Sequence, residues 1–279
     1  MTKFAEVLRK VHEMEPRVQC ITNFVTVNDC ANIILAAGGT PSMADHIDEV
    51  AEALSCVQAL VCNMGAIALT DSMIVGGKEA NRRKIPVVLD PVAVGGTQLR
   101  RDAAKRLLEE VHFTAIRGNA SEIRYLAGQQ TTGAGVDVSD LDAITEENLP
   151  EAQEMIKNLA KSLGTVIAVS GVIDLVSDGE RTMVLRNGCA TMSRITGSGC
   201  MLTSMIGAFA GAAAEDPFTA TCAAMAAMGI AGEIAEKKRI KNGTGNATFR
   251  TDLIDAVFNL TEEELTKGAL TKGARYEIF

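Results

Sequence analysis

Pro86-Val87-Val88-Leu89-Asp90-Pro91 is a short apolar run, β-branched at its centre, closed by a carboxylate and a second proline. A run that is apolar at every position rather than at alternate ones is what a strand covered on both faces requires. Val57 to Cys62, Phe113 to Arg117 and Thr165 to Ser170 have the same character, and each precedes or follows a longer segment of helical period. The alternation predicts an α/β fold with a mainly parallel central sheet and helices on both faces.

Outward from these runs, Thr26 to Ala37 carries apolar residues at helical spacing and stops at Gly38-Gly39, which predicts a helix. Met201 to Ala214 is a longer apolar run that ends at Glu215 and Asp216; it falls short of the ~20 residues that span a bilayer and reads as a buried helix. From Cys200 to Glu233 the chain is rich in Ala, Gly, Met and small hydroxyl residues, a composition that lets two helices approach closely, with Pro217 between them. Ile173 to Leu185 reads as a hairpin turning at Asp178-Gly179, so the sheet is expected to have an antiparallel edge. Gln129 to Asp142, rich in Thr, Gly and Asp, reads as a loop-like insertion and a mobile flap. With no internal repeat, one domain over residues 1–279 is the simplest organisation.

Of the 279 residues 47% are hydrophobic and 22% charged, enough to bury a large core. A formal net charge of −8 offers no basic surface, which argues against nucleic acid and membrane and for a small metabolite as partner. The seven cysteines are odd in number, dispersed and never spaced as CxxC, and Met1 to Arg17 lacks the apolar centre of an export signal. A reducing, cytoplasmic setting follows as an expectation.

Four segments carry candidate chemistry, all at expected strand ends, where an open α/β sheet holds its ligands. Thr196-Gly197-Ser198-Gly199-Cys200 runs into the apolar helix, so its backbone N–H groups can cradle an anion at a positive helix end; the alternative is an ordinary glycine turn. Cys200 in that first turn is expected to have a lowered thiol pKa and to relay a proton, unless it is a small buried hydrophobe. Asp90 ends its strand where it can hold Mg²⁺ through water or simply cap the next turn. In Arg117-Gly118-Asn119-Ala120-Ser121-Glu122, Asn119 and Glu122 have capping-box spacing; Glu122 can simply be a cap, while the functional reading, which does not exclude the first, makes it a second acid for the metal and Arg117 a cation for nucleotide phosphates. Gln19-Cys20-Ile21-Thr22-Asn23 and Pro41-Ser42-Met43-Ala44 flank one helix and can shape a small pocket, although a methionine alone is more often core.

These segments, in this order from near the N-terminus to about Leu260, resemble the hydroxyethylthiazole kinase family of the ribokinase-like superfamily. The cysteine of Thr196-Gly197-Ser198-Gly199-Cys200, where other ribokinase-like kinases carry an aspartate, is the most discriminating feature. The sequence departs from the family at Asn242-Gly243-Thr244-Gly245-Asn246, where a glycine and proline turn is usual, and at Ser170, where threonine is frequent. The resemblance implies a ribokinase-like fold and ATP-dependent phosphorylation of the primary alcohol of a hydroxyethylthiazole in thiamine biosynthesis. It also implies a homotrimer with pockets between subunits. Carried onto this chain it assigns Cys200 to catalysis, Asn23, Met43 and Gly197 to the alcohol, Arg117, Ser170 and Gly199 to ATP, and Asp90 and Glu122 to Mg²⁺.

Three rivals have distinct signatures. A cysteine-nucleophile hydrolase built on Cys200 needs one of His12, His46 or His112 beside it. A kinase of another vitamin-precursor alcohol, or a repair dehydratase, of the same fold would carry Asp at that position. A nucleotide sensor would bind ATP and release no ADP.

Overall fold

The computed structural model describes residues 3–129, 143–271 and 276–277; positions 130–142 of the insertion expected at 129–142 lie outside them. The strands are β1 (Arg17–Ile21), β2 (Thr40–Ser42), β3 (Ala59–Asn63), β4 (Val87–Asp90), β5 (Ala115–Asn119), β6 (Val166–Ser170), β7 (Asp174–Ser177), β8 (Thr182–Leu185) and β9 (Tyr276–Glu277). The helices are α1 (Lys3–Met14), α2 (Val27–Ala36), α3 (Val50–Ala53), α4 (Thr70–Arg83), α5 (Gln98–Glu110), α6 (Ala120–Leu126), α7 (Leu149–Leu163), α8 (Ser198–Ala212), α9 (Pro217–Asn242), α10 (Asn246–Phe258) and α11 (Glu262–Thr271).

All the strands form one sheet in the order β2-β1-β3-β4-β5-β6-β7-β8-β9. From β2 to β6 neighbours run parallel, and β7, β8 and β9 add on antiparallel. The expected α/β architecture and its antiparallel edge are both present. Strand ends differ from the expected ones by one or two residues, most consequentially at β3, which runs past Cys62 to include Asn63.

The uninterrupted apolar runs bury both faces of the sheet, and the two-residue strand repeat divides them between two cores. Val61, Val88, Ala115 and Ala168 point toward α1, α2, α8, α9 and α10. Leu60, Cys62, Leu89, Ile116 and Ile167 point the other way, toward α4, α5, α6 and α7. Each is almost fully buried, so truncating one, as in Leu89→Ala, should cost about 2–5 kcal/mol in lost burial and cavity.

Helices α8 and α9 are apolar around most of their circumference, which only a helix enclosed on all sides tolerates. α9 exceeds the Met201 to Ala214 run in length and is long and apolar enough to cross a membrane; 89% of its apolar stretch is buried inside the fold. α8 lies on β1, β3 and β4. A β-carbon at Gly207 would stand 2.6 Å from Val61 Cγ2, so the helix sits at a depth only glycine allows. Pro217 opens α9, as expected, and the departure at 242–246 is a helix corner with Gly243 as the left-handed C-cap of α9.

Candidate active site

The strand repeat that sends Val61, Val88 and Ala115 toward α8 sends Asn63, Asp90 and Arg117, two residues further along, to the same face. Asn63 and Asp90 are register partners at the carboxyl ends of β3 and β4. The first turn of α8 stands over them.

α8 begins at Ser198 with Gly197 as its N-cap at φ 83°, a left-handed conformation natural to glycine. A β-carbon there would also come 2.5 Å from Thr26 Cγ2. Cys200 is partly buried in the first turn. Asn23, just past β1, places Nδ2 3.5 Å from Cys200 Sγ and 3.4 Å from Asn63 Oδ1, while its own Oδ1 accepts from the Val25 and Thr26 amides at 3.1 and 3.2 Å. Asn63 in turn accepts the Gly65 amide at 2.8 Å and donates to Asp90 Oδ2 at 3.2 Å. The same carboxylate oxygen accepts from Thr203 Oγ1 at 2.8 Å and faces Arg117 Nη1 at 3.7 Å. Arg117 Nη2 donates to the Ser170 hydroxyl at the end of β6. The guanidinium is buried and its Nε has no hydrogen-bond partner.

Glu122 belongs to both structure and site. It completes the capping box of α6, with Asn119 Oδ1 accepting the Glu122 amide at 2.9 Å and Glu122 Oε2 accepting the Asn119 amide at 2.8 Å. Its other oxygen accepts the Ala93 amide at 2.8 Å, pinning the turn after Asp90, where Ala93 sits at a positive φ of 54°. The acid thus holds the β4 turn against the β5 turn.

The electrostatics follow from burial. Asp90 is raised above the usual carboxylate range by desolvation, opposed by Arg117 and the Thr203 hydrogen bond. Glu122 is raised to about 7, first by burial and then by the charge of Asp90. Cys200 is raised to about 11 by burial and by Asp90, only partly offset by hydrogen bonds from Thr26 and Asn63. This reverses the lowered thiol pKa expected from the helix N-terminus: desolvation and a nearby carboxylate outweigh the helix dipole.

The structure therefore joins Asn23, Asp90, Arg117, Ser170, Gly197, Gly199 and Cys200 in one contiguous cluster, with Glu122 attached through the Ala93 turn. Met43 follows edge strand β2 and packs, partly buried, against the core on the α8 side, beside Ala44, whose carbonyl accepts from Gln19 Nε2. Asn63 and Thr203 went unread in the sequence, and Thr26, the expected start of a helix, is the N-cap residue of α2 with no side-chain cap hydrogen bond. Asn63 had the same signal as Asp90, a polar residue closing an apolar strand; Thr203 lay inside an apolar run. The histidines lie elsewhere: His12 in α1, His46 on an exposed loop, and His112 bonded through its backbone to Asn81. Among the described residues no cluster of three or more His, Cys, Asp or Glu could hold a metal unaided. A cavity of about 350 Å³ opens at the opposite end of the sheet, before β5 and β6, and shares no residue with this cluster.

Residues 8–263 match the hydroxyethylthiazole kinase family. The chain is 46% identical over 267 residues to the hydroxyethylthiazole kinase of Clostridium beijerinckii, covering 95% of each chain. It is 45% identical over 266 residues to that of Desulfovibrio desulfuricans, covering 92% of this chain and 93% of the relative. Among solved structures it is similar to a hydroxyethylthiazole kinase protein from Pyrococcus horikoshii, with TM-score 0.82, 32% identity and coverage of 95% and 96%. An ADP complex of Bacillus subtilis pyridoxal kinase, at TM-score 0.57 and 18% identity over 77% of this chain and 90% of that one, shares the fold, which bears out the ribokinase-like architecture.

Proposed function

The chain belongs to the hydroxyethylthiazole kinase family, and on that premise we propose that it moves the γ-phosphoryl group of ATP to the primary alcohol of 4-methyl-5-(2-hydroxyethyl)thiazole, a step of thiamine biosynthesis. The observation that carries this reading is the buried cluster in which Asp90 and Arg117 meet beneath the glycine-opened helix bearing Cys200. Phosphoryl transfer asks a protein mainly for alignment and for neutralising spread charge, and this cluster offers both. Arg117, with its unpartnered Nε, is a cation held ready for phosphate oxygens, seconded by the amides of Gly197 to Cys200. Ser170 steadies the guanidinium and lines the same nucleotide path.

Two buried carboxylates, the charge of Asp90 raising the pKa of Glu122, fit a hard divalent cation, and Mg²⁺ needs few protein oxygens when phosphates and water complete its shell. Asp90 and Glu122 would hold it through water, and when bound it supplies charge neutralisation on the transferred group. The alcohol lies against Asn23, Gly197 and Met43. A thiol near 11 is protonated at neutral pH, so Cys200 receives a hydrogen bond from the alcohol and aligns it rather than starting as a thiolate. In a loose transition state the alcohol's proton leaves late and can pass to an oxygen of the transferred phosphoryl group, so the aligning thiol need not take it.

The seven free thiols support a reducing, cytoplasmic setting. Phe24 and Val25, large apolar residues exposed beside Asn23, support assembly into a homotrimer that covers the pocket. The test of the function is ADP formation from Mg-ATP with hydroxyethylthiazole set against pyrimidine and sugar alcohols. Turnover confined to the thiazole is the expected result; faster turnover of another alcohol would reassign the substrate, and none with any would leave a nucleotide sensor.

A further inference from the structure

We infer that Asn63 is a positioning residue that makes Asp90 and the Cys200 thiol one unit, an inference that rests on the kinase reading above. Its carboxamide joins them by way of Asn23. Nδ2 donates to Asp90 Oδ2 at 3.2 Å. Oδ1 is held in place by the Gly65 amide at 2.8 Å and meets Asn23 Nδ2 at 3.4 Å, and Asn23 itself reaches Cys200.

The arrangement is rigid for reasons visible in the chain. Asn63 is 1% exposed, the last residue of β3 and the register partner of Asp90. A β-carbon at Gly65 would come 2.7 Å from Asn63 Oδ1 and 2.9 Å from Asn23 Nδ2, so the chain folds over the two amides at a distance only glycine permits. The two ends of the carboxamide thus serve two functional side chains: its NH₂ group the acid, and its oxygen the Asn23 amide that reaches the sulfur. Asn63 therefore ties the acid below the phosphates, through Asn23, to the sulfur against which the alcohol is aligned.

A structural role alone and this role differ in a double-mutant cycle. Asn63→Ala should lower kcat at least about tenfold while moving the KM for the thiazole alcohol less than about threefold, since alignment and not uniform binding is lost. In a Cys200→Ala background the same change should cost less than about twofold, because groups acting as a unit are not additive. Losses that multiply, or a rise in KM with kcat preserved, would overturn the inference.

A second measurement needs no substrate. At fixed pH, the rate at which iodoacetamide labels Cys200, followed by mass spectrometry with exposed Cys56 as internal reference, should fall about tenfold in Asn63→Asp, where a carboxylate set against Asn23 joins Asp90 in opposing the thiolate. Equal labelling in wild type and Asn63→Asp would overturn the link between Asn63 and the thiol. If the wild-type chain makes no ADP with any alcohol, the kinase reading fails by itself, and the labelling still decides whether Asn63 governs Cys200.

Discussion

Arg117 lies across Gly199 so closely that a β-carbon at position 199 would come 2.4 Å from its Nη1. The glycine is therefore the space in which the guanidinium rests, and Gly199→Ala must push it away from Asp90 and Ser170. The expected outcome is a KM for ATP raised about tenfold, with that for the alcohol nearly unchanged, since one charge-assisted contact to phosphate is worth about 1.5–3 kcal/mol. Steady-state kinetics with ATP varied decide it; an unaltered KM for ATP would remove Arg117 from the nucleotide site.

Position 200 separates the kinase from a hydrolase. Cys200→Asp keeps an acceptor for the alcohol's hydrogen bond and should retain turnover, whereas Cys200→Ala should lose about a hundredfold in kcat with ATP binding intact. A covalent sulfur mechanism requires both variants to be dead. The measurement is ADP formed with hydroxyethylthiazole, and equal, complete loss in the two variants would reject the aligning role.

Asp90→Asn and Glu122→Gln should each raise the Mg²⁺ concentration needed for half-maximal rate by about tenfold, leaving alcohol affinity near its starting value. Magnesium titration of the two variants against wild type is the check. A metal dependence that does not move in either variant would take the acids out of the metal site.

Glu122 also predicts a pH dependence of stability. Its folded pKa of about 7 lies above the ordinary 4.5, so the folded state binds more protons than the unfolded one between those values. Its contribution is complete below about 4.5 and fades as pH rises through 7. Glu122→Gln gives up one of the two amide bonds yet removes this titration. Between pH 5 and pH 8 the melting temperature of wild type should therefore fall relative to that of the variant, and parallel curves by differential scanning calorimetry would contradict it.

Phe24, 90% exposed beside Asn23, should be covered in the assembled protein. Light scattering is expected to return the mass of three chains, and Phe24→Asp to lower it and raise the KM for the alcohol. A fully active monomer at nanomolar concentration would refute the assembly.

Much of this was legible in sequence because buried parallel strands leave an unusual trace, apolar at every position and closed by a polar residue. That trace located β4 and Asp90, β5 and Arg117, and β6 and Ser170; the helix expected from Met201 to Ala214 begins three residues earlier, at Ser198, and ends at Ala212, because the glycine turn itself enters the helix. Asn63 escaped because β3 was ended one residue early, at Cys62. Thr203 escaped because a hydroxyl in an apolar helix bonds the preceding turn as readily as a partner, and here it does both, to Gly199 O and to Asp90. The elevation of Cys200 escaped for another reason: a helix terminus is local and can be read from spacing, while burial and the position of Asp90 are set by distant parts of the chain.

Gly207 lies seven residues behind Cys200, about 10 Å along the axis of α8 at the usual helical rise. Because the helix rests there on the side chains of Val61 and Val18 with none of its own between, the height of its leading turn above Asp90 is calibrated from the rear. A methyl group at position 207 would tilt or lift that turn while leaving every substrate-contacting residue chemically intact. Changes of rate without change of active-site composition can therefore arise in the floor of this fold, and a search for variants with altered acceptor preference has reason to begin on the underside of α8.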